Sequence, residues 1–247
     1  DAIRTKDFDW NISLNLAHNE NEVTRLSNDV FTMDKILLGD VFIRGGSSSG
    51  THVLEEGCPI GQFYGLVCNG IDENGRYIMV DKDGDGEISD PADYDYIGSA
   101  QPKLTYGITN TFRYKNFDLS FFLRGTIGND ILNATRMAYA QSGFLPGTNA
   151  LDDPLTYTLS ETPRFSNYYL EKGSFMRLDN LTLGYKIKAL NGIRVYFTAQ
   201  NLFVITKYKG LDPEVPMDSG DGLTPGVEPR EFYPKARTFS VGLNLNF

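Results

Sequence analysis

The chain has 247 residues, 40% of them hydrophobic, and a formal charge of −9 at neutral pH. That charge excludes nucleic acid as a partner, since phosphate binding takes clustered Lys and Arg. A mean hydropathy of −0.30, with no apolar run near the ~20 residues that a spanning helix needs, excludes a helical membrane protein but not a membrane barrel, whose strands average to moderate hydropathy. Aromatic residues make up 13% of the chain, which suits interfacial girdles or a sugar-stacking surface. Only Cys58 and Cys68 are present; they either pair in an oxidising compartment or stand as separate thiols. With only His18 and His52 beside them, there is no Cys/His set with metal-ligand spacing.

Asp1 leads almost directly into the first strand, so the start reads as a cut through a larger protein. From Phe8 to Leu16 every even position is large and apolar, and the odd positions are Asp9, Asn11, Ser13 and Asn15. Period two of this kind predicts a strand with one greasy and one polar face, with Trp10 as an interfacial anchor on the greasy one. Asn19-Glu20-Asn21 reads as a short turn, and 41–44 and 61–67 read as extended. Gly45-Gly46-Ser47-Ser48-Ser49-Gly50 lacks the Lys and the following helix of a phosphate loop, so it is read as a flexible connection. A long loop, 71–102, comes next. Leu104, Tyr106, Ile108, Phe112 and Tyr114 mark the second clear strand. Lys115-Asn116 is short enough for a tight hairpin. Phe117, Leu119, Phe121 and Leu123 then alternate with Asp118, Ser120, Phe122 and Arg124. In the loop 128–173, Asp152-Asp153-Pro154 reads as a turn rather than a catalytic dyad. Phe144 and Tyr168-Tyr169 fit either contact with a sugar or partner protein, or packing of the loop. Leu181, Leu183, Tyr185 and Ile187 form the next strand, and the slip in parity from Met176 and Leu178 predicts a β-bulge. Asn191-Gly192 is a turn signal. Ile193, Val195, Phe197 and Ala199 follow, then the loop 207–236. The last strand, Thr238 to Phe247, alternates strictly and ends on an aromatic residue, like the closing strand of an outer-membrane barrel.

Each of these six strands runs for about nine to twelve residues, near the ~9–11 that a tilted strand needs to cross hydrocarbon and longer than the ~5–6 usual in soluble sheets. The connections sort by length. With the C-terminus in the periplasm, 207–236, 128–173 and 71–102 become long extracellular loops, and 188–192 and 115–116 become short periplasmic turns. On this parity residues 18–70 must hold one or three crossings, for a total of about seven to nine strands. The predicted fold is therefore all-β, an antiparallel transmembrane β-barrel. Arg113, Arg124, Lys186 and Arg194 fall on the polar parity and should face the lumen, either tuning passage or pairing with acids such as Asp9 and Asp118.

Several stretches in this order resemble one family. They are Gly57-Cys58-Pro59-Ile60-Gly61-Gln62-Phe63-Tyr64-Gly65 with Gly70-Ile71, Asp81 to Ile88, Ile97-Gly98, Pro102 and Tyr106-Gly107. Tyr114 to Ser120, Gly128-Asn129-Asp130, Gln200-Asn201-Leu202-Phe203, Tyr208 to Glu214 and Arg237-Thr238-Phe239 complete the series. Nearly the whole chain resembles the C-terminal part of SusC/RagA-type TonB-dependent outer-membrane receptors of the Bacteroidetes. The resemblance implies a barrel of about 22 strands with an N-terminal plug, driven through TonB. It also implies import of oligosaccharides, or peptides, beneath a SusD-like surface lipoprotein. This chain would supply about the last third of the wall, in contact with outer-membrane lipid.

Asp81, Asp83 and Asp85, followed by Gly86, Glu87 and Ile88, match the first eight positions of a calcium loop. Position twelve is Ala92 where an acid is expected, and Asp93 comes one residue late. A hard divalent cation, Ca²⁺ in the first instance, held by Asp81, Asp83, Asp85, Glu87 and Asp93 is one reading. An acidic, ion-free hairpin loop is the other. No acid pair or nucleophile carries the context of a catalytic site, so no enzyme is expected. The rival accounts are a secreted soluble β-sheet module that binds glycan and calcium, and an outer-membrane enzyme that uses the barrel as scaffold.

Overall fold

The computed structural model describes residues 2–46, 48, 50–190, 193–215, 222–230 and 233–245. In chain order the strands are β1 (Ile3–Arg4), β2 (Phe8–Ala17), β3 (Lys35–Leu38), β4 (His52–Glu55), β5 (Gln62–Leu66), β6 (Cys68–Ile71), β7 (Tyr77–Met79) and β8 (Tyr94–Ser99). They continue with β9 (Leu104–Tyr114), β10 (Phe117–Ile127), β11 (Asp130–Leu132), β12 (Leu170–Lys172), β13 (Phe175–Ile187), β14 (Ile193–Thr206) and β15 (Thr238–Asn244). Two short helices, α1 (Ala134–Tyr139) and α2 (Pro154–Thr158), lie between β11 and β12.

Seven strands form one antiparallel sheet in the order β1-β2-β9-β10-β13-β14-β15. Register carries the alternation from strand to strand without a break. Trp10 faces Phe112, Phe112 faces Leu119, Leu119 faces Leu183, Leu183 faces Phe197, and Phe197 faces Val241. One face of the sheet is therefore apolar from edge to edge, and it is bare: Leu16, Ile205, Phe239 and Leu243 are all exposed, and Val241 is 77% exposed. An uncovered apolar surface of this extent is what lipid, rather than water, accommodates. On this face Asn110 accepts a 3.1 Å bond from the Trp10 indole N–H, while the Trp10 ring stacks on Phe112. Trp10 thus serves the face from within it.

The opposite face is polar. Arg194 crosses over β13 to grip Asp118 with two bonds, 2.9 and 2.5 Å. Gly184 on β13 makes this possible, because a Cβ there would lie 2.5 Å from both Arg194 Nε and an Asp118 oxygen. The expected bulge is present: pairing on β13 jumps from Leu178 to Asn180, and Asn201 on β14 takes a left-handed φ of 52°. Lys115, with φ 53°, supplies the left-handed turn residue of the β9–β10 hairpin. The Asn191-Gly192 turn and the closing Asn246 and Phe247 lie outside the described residues, as do Ser47 and Ser49.

By the strand pairing, the β1–β2, β9–β10 and β13–β14 connections start and finish at one end of the sheet. The β2–β9, β10–β13 and β14–β15 connections start and finish at the other. The expectation of one or three crossings within 18–70 fails. β2 pairs directly with β9 from Phe8↔Tyr114 to Ala17↔Thr105, so 18–103 leaves and re-enters on the same end. Asn19-Glu20-Asn21 is not a hairpin turn; Asn21 caps the Ile60 amide at 2.8 Å and His18 meets the Lys103 carbonyl at 2.6 Å. The extended reading of 61–67 holds for β5, but β5 belongs to a separate four-stranded sheet, β3-β4-β5-β8. Val41 and Ile43 form no strand and are buried instead in the core of the loop region. That core, with Phe63, Leu66, Tyr94, Leu132, Met137, Leu155, Phe165 and Tyr169, is built almost wholly from segments between the long strands. The loops therefore form a packed body at one end of the sheet.

Candidate functional site

The loop body holds the aspartate loop. Asp81, Asp83 and Asp85 bring one carboxylate oxygen each within 4.8 Å of one another. The chain turns tightly enough for this because Gly84 and Gly86 take φ of 78° and 90°. Asp81 accepts from the Gly84 and Gly86 amides at 2.6 and 2.9 Å, Asp83 from Asp85 at 3.1 Å, and Asp85 from Glu87 at 2.8 Å. Each oxygen keeps a further lone pair, so the arrangement fits a hard cation. Glu87 and Asp93 are not part of the cluster. The Asp93 side chain, 1% exposed, turns away to bind backbone: it accepts from Ser89 at 2.7 Å and from Lys82 at 2.6 Å. These bonds, the Ser89 amide foremost, hold its carboxyl below the usual carboxylate range. Asp93 thus ties both ends of the loop together. Arg164 braces the same loop through Asp90, at 2.6 Å.

A second constellation was not foreseen from sequence. The segment Asp212-Pro213-Glu214 returns from the last long loop onto the polar face of the sheet. There Arg124 binds Glu214 at 2.5 and 3.0 Å and Asp179 at 2.9 Å. Arg177, 2% exposed, binds Asp212 at 2.5 Å, lies 3.2 Å from Glu214 and donates to the Asn201 side chain. Lys235 completes the set at 2.6 Å from Glu214. Burial works against ionising Glu214, but the bonds from Arg124 and Lys235 outweigh it and keep its carboxyl below its ordinary value. Three cations and three carboxylates so pin the loop to strands β10, β13 and β14. The available signal was Arg177 on the polar parity just before the bulge. A cavity of about 250 Å³ adjoins this hub, lined by Tyr106, Arg124, Asn129, Phe175 and Glu214 among others.

The other sequence candidates each have neighbours in the loop body. Asp153 caps α2 and pairs with Arg136 at 2.9 Å. Tyr169 is fully buried and its hydroxyl meets that of Tyr77 at 2.5 Å; burial pushes the Tyr77 hydroxyl up to about 12. Tyr168 packs edge-on against Tyr77, while Phe144 stays exposed with Arg44 over its ring. Cys58 and Cys68 are free thiols.

Sheet, faces and sorted loops define the wall of an outer-membrane-type β-barrel. No family model matches the chain. It is 36% identical to the TonB-dependent receptor SusC of Bacteroides thetaiotaomicron, over 99% of this chain and 25% of that protein. It is 32% identical to the TonB-dependent receptor P3 of Formosa agariphila, over 99% of this chain and 27% of that one. A solved structure of the RagAB peptide transporter superposes with a TM-score of 0.73 at 25% identity, covering 98% of this chain and 27% of that one. These matches support a C-terminal piece of a SusC/RagA-type TonB-dependent receptor, the family whose motifs the sequence resembles. It spans about a quarter of the length of the curated relatives it matches.

Two predictions follow from these geometries. Arg177→Met leaves Asp212 and Glu214 short of a cation in a buried place, a loss of about 3–5 kcal/mol. It should release 207–237 to protease and amide exchange. Arg177→Lys should not rescue it, because one ammonium cannot span Asn201, Asp212 and Glu214 as a guanidinium does. For Asp93, a depressed folded-state pKa contributes stability above the unfolded value that is lost as pH falls through the folded value. Exchange protection of the Lys82 and Ser89 amides should therefore survive acidification past the ordinary aspartate range and fail below it. In Asp93→Asn that protection should already be weakened at neutral pH.

Proposed function

We propose that this chain is part of the wall of a receptor that imports oligosaccharides or peptides across the outer membrane. The reading rests above all on the inverted sheet, with its apolar face continuous and bare and its charged groups turned to the other side. On this account the turn end and the C-terminus are periplasmic and the packed loop body is extracellular, where a SusD-like lipoprotein would cover it. TonB would act through parts of the receptor outside this chain. The relative of solved structure is a peptide transporter, which supports a peptide ligand, and SusC, a TonB-dependent receptor, supports the same receptor class. The polar concavities at the loop end, including one of about 560 Å³ beside His18, Glu20, Gln62 and Gln101, offer hydrogen-bonding groups suited to either ligand. No reading as a catalyst is drawn from these residues.

Within this account Asp81, Asp83 and Asp85 hold a divalent cation, Ca²⁺ by its preference for flexible all-oxygen sites. Backbone carbonyls and water complete its shell. The ion braces an extracellular loop and takes no part in transport chemistry.

The receptor reading is checked on the native protein from an outer-membrane fraction. A detergent-resistant species about four times the 27.6 kDa of this chain, whose gel mobility changes on boiling, is expected. A soluble species of unchanged mobility would sink the transporter and favour a secreted β module. For the cation, chelation of the intact receptor should raise amide exchange across 81–93, and Ca²⁺ should restore it. The triple variant Asp81→Asn, Asp83→Asn, Asp85→Asn should ignore both treatments. Exchange indifferent to chelation in the parent receptor would remove the metal.

A further inference from the structure

Among the described residues six arginines are buried or half-buried, and five of them meet a carboxylate. Arg124 pairs with Glu214, Arg136 with Asp153, Arg164 with Asp90, Arg177 with Asp212 and Arg194 with Asp118. Arg44 is the sixth, and no carboxylate among the described residues pairs with it. Acids are not scarce, since the chain holds 32 against 23 lysines and arginines. A guanidinium stays charged at any working pH, and a charge drawn away from water needs a counter-charge.

The surroundings of Arg44 are those of an open site. Val41 and Ile43 anchor its segment in the core of the loop body. The guanidinium carbon lies 5.2 Å from the centre of the Tyr139 ring and 5.1 Å from that of Phe144. Ring faces attract a cation but offer nothing to the N–H groups at its edge. Of these, Nη1 donates to the Thr148 hydroxyl at 2.6 Å, and Nε is buried without any partner. Nε and Nη2 share one edge, the fork that a carboxylate fills with two parallel bonds. Around it, Phe144, Leu145 and Leu151 are exposed apolar side chains, and Leu151 is tied to Tyr139 by a 2.9 Å backbone bond. An apolar rim lowers the local dielectric and strengthens an ion pair formed within it.

We propose that Arg44, with Tyr139 and Phe144 beside it, binds a carboxylate of the imported ligand. The proposal rests on the reading of the chain as part of an importer whose loop body faces the ligand. The carboxylate meets Nη2 first. The exposed segment 142–149, which carries Phe144 and Thr148, shifts to open the full fork to Nε. Two ligand sources share this chemistry: the carboxylate of a peptide and that of a uronic acid in an acidic oligosaccharide.

The test uses the intact receptor and two pairs of probes, each an acid with its neutral counterpart. One pair is N-acetylated penta-alanine and its C-terminal amide; the other is trigalacturonate and its methyl ester. In one pair the acid is expected to bind roughly ten-fold or more tightly than its counterpart, the effect of one charge-assisted pair, and which pair responds identifies the source. Arg44→Gln is expected to bring that acid down to the level of its counterpart and to leave the counterpart unchanged, which a merely structural role would not do. Arg44→Lys keeps the charge without the fork and is expected to restore only part of the preference. In the parent receptor the same acid is expected to slow modification of Arg44 by phenylglyoxal, a readout that needs no variant to fold. Failure of both acids to bind or to protect Arg44 overturns the proposal, as does a preference that survives Arg44→Gln. Protection of Arg44 by a companion protein alone overturns it too. Heat-modifiability is scored in the same samples. A heat-modifiable receptor indifferent to both acids sinks the carboxylate site alone, and a parent protein that is not heat-modifiable sinks the importer beneath it.

Discussion

Main-chain hydrogen bonds between neighbouring strands carry this sheet from β1 to β15, and the rest of the structure is arranged around the need to keep that ladder complete. In hydrocarbon no water stands in for a missing partner, so each backbone group must find one along the next strand. A ladder of this kind does not rely on side chains to bury a core between layers. It frees one face to be apolar and bare, as Leu14, Leu183 and Val241 are, and the other to be polar. Side chains serve it in places: Trp10 donates to Asn110 on the apolar side, and Asn201 occupies the left-handed position of the bulge.

Because the sheet buries little, compaction is displaced to the loops. Val41, Phe63, Leu66, Met137, Phe165 and Tyr169 form the main hydrophobic cluster, drawn from segments that are far apart in sequence and alike only in lying at the loop end. Its last long loop meets the wall through an ion network. Arg124 and Arg177 reach up from β10 and β13, and Asp212 and Glu214 reach down. A buried ion network of balanced charge adds little net stability over an apolar alternative, but it fixes geometry, since any displaced member leaves an uncompensated charge. The long last loop is therefore positioned by this ion network together with the packing of Tyr208 and Val215 on Ile131.

The long strands were legible because their signal is local and redundant. Period two within Phe8–Leu16, or within Phe117–Leu123, needs no knowledge of the partner strand, and the parity slip before Leu181 marked a bulge that the pairing of β13 with β14 confirms. The course of 18–103 was not legible. Asn19-Glu20-Asn21 has the composition of a turn, and only the pairing of Leu16 with Tyr106, distant in sequence, shows that the chain does not double back there. Of the five acids proposed for the metal loop, Asp81, Asp83 and Asp85 converge as their spacing requires. Asp93 could be placed only by its environment: it sits close in sequence, but buried amides claim it before any ion can. Arg177 escaped notice for a related reason. Its partners, Asp212 and Asn201, come from other elements, and no spacing rule links them.

The polar face also sorts its residues by depth. One row crosses the whole sheet through Asn11, Thr111, Ser120, Thr182, Thr198 and Ser240, and every member is neutral; the Thr182 and Thr198 hydroxyls lie 3.2 Å apart. Charges appear on either side of this row, with Asp9, Arg113, Asp118 and Arg194 toward the turns and Arg124, Arg177 and Asp179 toward the loops. A charge beside a low-dielectric slab interacts more strongly with its neighbours and is harder to leave unpaired than one in open water. Neutral hydroxyls and amides at mid-depth avoid that penalty while keeping the interior wettable. Near the ends, where bulk water screens them, charges can be concentrated, and it is there that the sheet gathers its hub on one side and the pair of Asp118 with Arg194 on the other. The same alternation that makes the outer face greasy therefore leaves the inner face free to be graded, neutral across the slab and charged at both mouths.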